Sequence, residues 1–382
     1  MAYGAAVTNN ALFVTGAQRS GTTLLEKLLA SQPRISMLSQ PFPLFFIEVK
    51  RAFLRSLGYD DPYPLGHLFR EKRYTRAGFI DFLRAWRPQS EQLRSFLAPV
   101  QSYSGQYTRF TDEQLDEALA HVSPKNDDFA AVVNTLNRRL SKTPSAQWFG
   151  SKETMCEEYV PALLDAGFRC TIILRDPRDV LASLNYGRGQ EFGGALKPLL
   201  FNARSWRKSV AVALAMEGHP RFRWCRYEEL VADARATVAR IAPLAIDAAE
   251  LTGDIRDEAG KSWPGNSSHA EHHGISNASV GVYRGVLPAA ASRLMEAACL
   301  PELQLLGYET EMTAADAQRE VAACSEPYAT ARKGMENDFV TAENIAAEIE
   351  RLDRVRQPPS ESSAEWFLFE QAHARLRDGF AA

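Results

Sequence analysis

A short apolar run, Leu12 to Thr15, leads into Gly16-Ala17-Gln18-Arg19-Ser20-Gly21-Thr22-Thr23 and then into a helical pattern with Leu24, Leu25, Leu28 and Leu29 on one side. A glycine-bearing turn between a strand and a helix aims backbone N–H groups at one point beside the positive end of the helix, which makes it an anion site. A loop that holds a nucleoside triphosphate ends in Gly-Lys-Ser/Thr, with the lysine neutralising the β and γ phosphates. Thr22 stands in that place here. Such enzymes also close a strand with an acid that holds Mg²⁺, whereas the apolar run Cys170 to Leu174 ends in basic Arg175. Taken alone, the loop is also compatible with a plain glycine turn beside a buried arginine, because short glycine-rich matches recur by chance. The two departures together favour a metal-free ligand with a short 5′ anion and a second phosphate elsewhere.

The second basic segment is Arg175-Asp176-Pro177-Arg178-Asp179, followed by Ser183. Asp176 suits a helix N-cap and Pro177 the first helical turn, and on that reading Arg178 is a solvated side chain. A cap does not account for an arginine closing a strand with a hydroxyl about two turns into the following helix on the same side. With both segments in view, the chain resembles the sulfotransferases that use 3′-phosphoadenosine-5′-phosphosulfate (PAPS), and its arginine-to-serine interval matches theirs. The resemblance implies that Arg175 and Ser183 bind the 3′-phosphate. It also implies that the backbone and hydroxyls of Arg19, Ser20, Gly21, Thr22 and Thr23 bind the phosphosulfate.

Three further segments resemble tyrosylprotein sulfotransferases and bacterial relatives: Gly150-Ser151-Lys152-Glu153, Arg226-Tyr227-Glu228-Glu229-Leu230, and Gly274 to Arg284. By that resemblance Lys152 meets the charge that grows on the departing phosphate oxygen. Tyr227 stacks on or hydrogen-bonds to the nucleotide, and Ser276, Ser279 and Arg284 close over it. A surface lysine, a core tyrosine with a wet hydroxyl and a polar loop are the bland alternatives. The implied reaction is a metal-free, in-line transfer of a sulfuryl group to a hydroxyl or amine of a small-molecule acceptor, with the desulfated nucleotide PAP as product. A glutamate follows the first helix in tyrosylprotein sulfotransferases. Here the matching stretch is Met37-Leu38-Ser39-Gln40, and Gln40 cannot act as a base. Glu48, Glu153, His67, His121, His269, His272 and His273 remain as possible bases. The last three, in a polar loop without an acidic or cysteine partner, read as solvated histidines, so no metal is expected. A nucleotide-dependent kinase and a catalytically silent nucleotide-binding scaffold are the rival functions.

The elements that must hold these residues alternate. Runs at Leu12 to Thr15, Trp148 to Ser151, Cys170 to Leu174 and Phe222 to Cys225 read as strands, and helical patterns follow them. The pattern predicts an α/β fold with a P-loop-like central parallel β-sheet flanked by helices. Residues 41–144 read as a helical cap insertion rich in aromatics and broken at Asp61-Pro62, Arg87-Pro88 and Ser123-Pro124. A Gly-, Ser-, Asn- and His-rich stretch at 263–285 reads as a lid loop. The sulfotransferase-like domain is expected to span 1–308, with a helical C-terminal extension over 309–382.

Bulk properties agree with a globular protein. The chain has 382 residues, 45% hydrophobic and 24% charged, with a formal net charge of −3. Its Lys and Arg are dispersed, so neither nucleic acid, an anionic membrane surface nor a polyanionic acceptor is favoured as partner. The five cysteines stand far apart and read as reduced thiols. No segment resembles a signal peptide or a membrane span, which predicts a cytoplasmic protein in which the sequon Asn266-Ser267-Ser268 has no route to glycosylation. Oligomeric state is not legible.

Overall fold

The computed structural model describes residues 10–59, 76–97, 108–143, 145–187, 196–242, 251, 255–256, 260–263, 265, 274–328 and 335–380. Five strands, β1 (Ala11–Thr15), β2 (Ile35–Ser39), β3 (Trp148–Lys152), β4 (Arg169–Leu174) and β5 (Phe222–Arg226), form one parallel sheet in the order β2-β3-β1-β4-β5. This is the expected α/β architecture. Parallel neighbours require crossovers, and helices supply them. Helix α1 (Thr22–Ala30) joins β1 to β2. Helices α2 (Pro43–Ser56), α3 (Arg76–Ala85), α4 (Ser90–Leu97), α5 (Asp112–Leu119) and α6 (Phe129–Arg139) lie between β2 and β3. Helix α7 (Val160–Asp165) precedes β4, and α8 (Pro177–Tyr186) and α9 (Leu199–Met216) precede β5.

Alternation along the strands assigns each face of the sheet to its own core. Leu12 and Val14 of β1 pack with Leu24, Leu25 and Leu28 of α1. Ala11 and Phe13 point the other way, into the aromatic core of the cap. There Phe13 stacks on Phe46 at 5.6 Å, and Phe46 meets the edge of Tyr159 at 4.8 Å. Burial on both faces is what a parallel sheet covered by helices requires. In the cap, Phe42, Phe45, Phe46 and Phe53 are all core residues, whereas Tyr63 and Phe69 lie outside the described residues. The sequence reading did not include β2. Its apolar residues, Ile35, Met37 and Leu38, are interrupted by Ser36 and Ser39, so the edge strand lacks a continuous apolar signature.

After β5 come α10 (Tyr227–Ala232), α11 (Ala234–Ile241), α12 (Tyr283–Val286) and α13 (Ala289–Leu305). Beyond Tyr308 the chain forms α14 (Ala314–Ala323), α15 (Ala342–Val355), α16 (Ser363–Phe367) and α17 (Glu370–Phe380). Helix α15 is tied to the body by buried charge. Glu348 of α15 accepts from Arg204 at 2.9 Å and from Arg207 at 2.6 Å, both on α9, while Arg204 also reaches Asp338 at 2.8 Å. Charges withdrawn from water hold only when paired in this way. Among the described residues no helix is long and apolar enough to cross a membrane. All five cysteines are free thiols.

Candidate functional site

In an open parallel sheet the ligand crevice lies beyond the carboxyl ends of the strands, where neighbouring loops diverge. β1 and β4 are such neighbours, and they end in the two basic segments singled out in the sequence. The turn after β1 is closed by Ser20, whose hydroxyl donates to the Ala17 carbonyl at 2.7 Å and whose N–H donates to the same oxygen at 3.2 Å. Arg19 adopts a left-handed φ of 61°, a conformation that costs a non-glycine residue of order 1 kcal/mol or more and recurs at binding sites. Gly21, at φ 101°, is held to glycine for a further reason: a Cβ there would lie 2.5 Å from Cδ2 of Tyr227. The Thr22 side chain is buried and Thr23 is half-buried at the start of α1.

The two basic segments meet. Arg19 Nε donates to Ser183 Oγ at 3.0 Å, and Arg175 Nη1 donates to the Arg19 carbonyl at 3.0 Å. Arg175 Nη2 donates to the Ser279 carbonyl, and its guanidinium lies over the Tyr227 ring, 4.6 Å from the centroid. From behind, Trp206 Nε1 donates to the Arg175 carbonyl at 2.7 Å. Arg175 Nε and Ser279 Oγ are both buried without a protein partner. Buried polar groups are normally satisfied, so an unpaired N–H and hydroxyl beside Arg19 and Ser183 fit an anion that takes those bonds.

Carboxylates pin the surrounding segments. Asp179 accepts from Gly281 N–H at 2.7 Å and Tyr283 N–H at 2.9 Å, fixing the end of the 263–285 stretch onto α8. Glu228 accepts from Asp176 N–H at 3.0 Å and from the Tyr308 hydroxyl at 3.1 Å. Burial pushes both carboxyls above their ordinary range. Arg178 is not the solvated residue of the bland reading. It is buried, paired with Asp176 and Glu296 at 2.8 Å each, and its charge holds α8 to α13.

A second cluster forms at the ends of β2 and β3. Lys152, 3% exposed, donates from Nζ to Gln40 Oε1 at 3.2 Å, and Thr154 Oγ1 donates to the same oxygen at 3.2 Å. The cluster is stitched to the end of β1 and the glycine turn that follows it, because Glu153 N–H donates to the Val14 carbonyl and Met155 N–H to the Gly16 carbonyl, each at 2.9 Å. Glu153 itself turns to the other face, where Oε1 accepts from Phe42 N–H at 2.8 Å. Desolvation drives its pKa up to about 8 against the favourable effects of that hydrogen bond and of Lys152.

The structure thus draws Arg19, Ser183, Arg175, Ser279, Tyr227 and Gly21 into one constellation. It does not bring Arg284 into it: this side chain is exposed and pairs with Glu309 at 2.7 Å. The Ser276 hydroxyl accepts from Ala278 N–H at 3.1 Å within its own turn. The Tyr227 ring is 1% exposed beneath Arg175, serving as a floor for the guanidinium. Of the proposed bases, Glu48 pairs with Arg51 and His121 is exposed past the end of α5; His67, His269, His272 and His273 lie outside the described residues. Sequence reasoning missed Lys197, a buried lysine whose ammonium reaches the Gln18 side chain in the loop and whose backbone is clamped by Asn185 at 3.1 Å. A cation two residues before α9 carries no spacing signal.

A family model described as "Sulfotransferase family" matches residues 11–245. Among solved structures, the chain is similar to the sulfotransferase domain of the Synechococcus PCC 7002 olefin synthase, with 18% identity, 78% of this chain and 95% of that chain covered, and a TM-score of 0.45. It is also similar to the sulfotransferase domain of the curacin biosynthetic pathway, with 16% identity, coverage of 78% and 97%, and a TM-score of 0.39. A third is retinol dehydratase in complex with retinol and PAP, with 14% identity, coverage of 80% and 83%, and a TM-score of 0.35. No curated protein matches the chain.

Proposed function

The chain belongs to the sulfotransferase family, and from that premise we propose that it moves the sulfuryl group of PAPS onto a hydroxyl or amine of a small-molecule acceptor, releasing PAP. The observation that supports this reading most is the contact of the two anion segments, in which Arg175 donates to the Arg19 carbonyl while Arg19 donates to Ser183. A ligand spanning them carries two separated anionic groups, which a nucleotide with a 3′-phosphate and a 5′-phosphosulfate provides. Arg175, Ser183 and the unpaired Ser279 hydroxyl take the 3′-phosphate. The N–H groups and hydroxyls of Arg19, Ser20, Gly21, Thr22 and Thr23 take the 5′ end. Residues 1–308 form the transferase unit and 309–382 its helical extension.

In the reaction, a lone pair of the acceptor oxygen or nitrogen forms a bond to sulfur. The bond from sulfur to the bridging phosphate oxygen breaks, and its electron pair stays on that oxygen. Charge therefore grows on the 5′-phosphate of PAP, and preorganised cations and N–H donors lower the barrier by meeting it there. Lys152 is our assignment for that role. The acceptor proton leaves to a base that the geometry does not single out.

The test is a screen of acceptor classes with [³⁵S]PAPS, alongside calorimetry with PAP and with ATP. We expect tight PAP binding and label transfer to at least one hydroxyl or amine acceptor. Transfer of the γ-phosphate of ATP without PAP binding would instead assign a kinase.

A further inference from the structure

Gln40 stands where β2 ends, with a left-handed φ of 46° and its N–H donating to the Lys152 carbonyl at 2.8 Å. A non-glycine residue in that region is strained and persists only where its surroundings over-determine it. The surroundings do so here, since one amide oxygen accepts from both Lys152 Nζ and Thr154 Oγ1, each at 3.2 Å. Lysine can only donate, so the amide oxygen must face it and the NH₂ group must point away. The orientation of the amide is therefore set by chemistry.

We propose that Gln40 is a positioning residue: its amide oxygen holds the Lys152 ammonium and the Thr154 hydroxyl at the 5′ end of the bound nucleotide. The inference rests on the nucleotide assignment above. A neutral acceptor is the feature that matters. A carboxylate at the same place would fix the lysine equally well but would add a negative charge beside it, and that charge offsets the field the ammonium offers to a ligand phosphate. The strained backbone turns the amide inward, so the strain is matched to the placement of Lys152.

The experiment compares wild type with Gln40→Glu and Gln40→Gly, using calorimetry with PAP and with adenosine 3′-monophosphate, which lacks the 5′-phosphate. For Gln40→Glu we expect PAP affinity to fall about tenfold, or ~1.4 kcal/mol, with adenosine 3′-monophosphate affinity unchanged. A general collapse of the site would weaken both ligands together and would overturn the inference, as would unchanged PAP affinity. Gln40→Gly provides the second readout: it removes the amide oxygen while glycine accepts the left-handed backbone without strain, so the fold should be retained while PAP affinity falls. A glycine variant that keeps wild-type PAP affinity also overturns it. Wild-type protein that binds no PAP overturns the nucleotide assignment and this inference together, whereas wild type that binds PAP beside an unaffected glutamate variant overturns the role of Gln40 alone.

Discussion

Arg19 Nε and Ser183 Oγ stand 3.0 Å apart across 164 residues of chain, one on the turn after β1 and the other inside α8. The bond joins the two basic segments that the neighbouring strands β1 and β4 deliver to one end of the sheet. Each element holds the other in register, so a ligand meets a site already assembled and spends less of its binding energy on ordering it.

Ser183→Ala removes the acceptor of that bond and, on our assignment, one donor to the 3′-phosphate. Hydrogen bonds to charged groups contribute about 1.5–3 kcal/mol, so PAP affinity should weaken by about tenfold or more in calorimetry. The alanine variant should melt within a few degrees of wild type. Unaltered PAP affinity would remove Ser183 from the site.

Arg175→Lys tests whether charge alone suffices. The guanidinium donates to the carbonyls of Arg19 and Ser279 while lying flat over Tyr227, and an ammonium on a flexible stem cannot do all three. Loss of a stacked, multidentate cation costs on the order of 2–3 kcal/mol, and PAP affinity should fall accordingly, by about 30- to 150-fold. A lysine variant that binds PAP like wild type would mean that the planar fork has no part in recognition.

The legible part of the site was the part encoded locally. Arg19 and Gly21 are spaced by a turn, and Arg175 and Ser183 by a strand end and two helical turns, so each pair is visible in the linear sequence, and the fold brings the two pairs together. Gln40 is legible in the sequence only as a residue that cannot act as a base, and Thr154 carries no signal, because their convergence on Lys152 exists only once β2 pairs with β3, 112 and 114 residues apart for Gln40 against Lys152 and Thr154. The same limit explains Tyr227. A tyrosine after a strand can face a ligand or the core, and only the close approach of Gly21 and Arg175 from other elements identifies it as a floor. Arg284 illustrates the converse: its position in the chain resembled a nucleotide loop, yet the turn directs it outward to Glu309.

Gly21→Ala adds one methyl group where φ is 101° and where the new atom would sit 2.5 Å from the Tyr227 ring. Backbone strain and the clash together should destabilise the fold by about 2–4 kcal/mol, read as a lower urea midpoint at unchanged m-value. Shortening the obstacle should recover part of that loss. In the double variant Gly21→Ala with Tyr227→Leu, the two effects should be less than additive by about 1 kcal/mol. Strict additivity would mean that the ring does not enforce the glycine.

Glu153 is the buried carboxyl whose titration the fold must feel. It is 1% exposed, accepts one hydrogen bond from Phe42 N–H, and has a pKa pushed by burial from 4.5 to about 8. Below pH 4.5 the folded and unfolded chains both carry the proton, so pH has no leverage on stability through this group. Between 4.5 and about 8 the unfolded chain has lost the proton and the folded chain keeps it, so unfolding releases a proton and each rise in pH favours the unfolded state. The slope approaches about 1.4 kcal/mol per pH unit for one group, and it vanishes above about pH 8, where both states are ionised. Glu153→Gln keeps an oxygen for Phe42 and removes the proton. Its stability relative to wild type, measured by urea unfolding at a series of pH values, should therefore climb from pH 5 to pH 8 and then level off. A wild-type-to-variant difference that stays flat across that window would show that the carboxyl is ionised in the folded protein, held by Lys152 and the Phe42 N–H in spite of its burial.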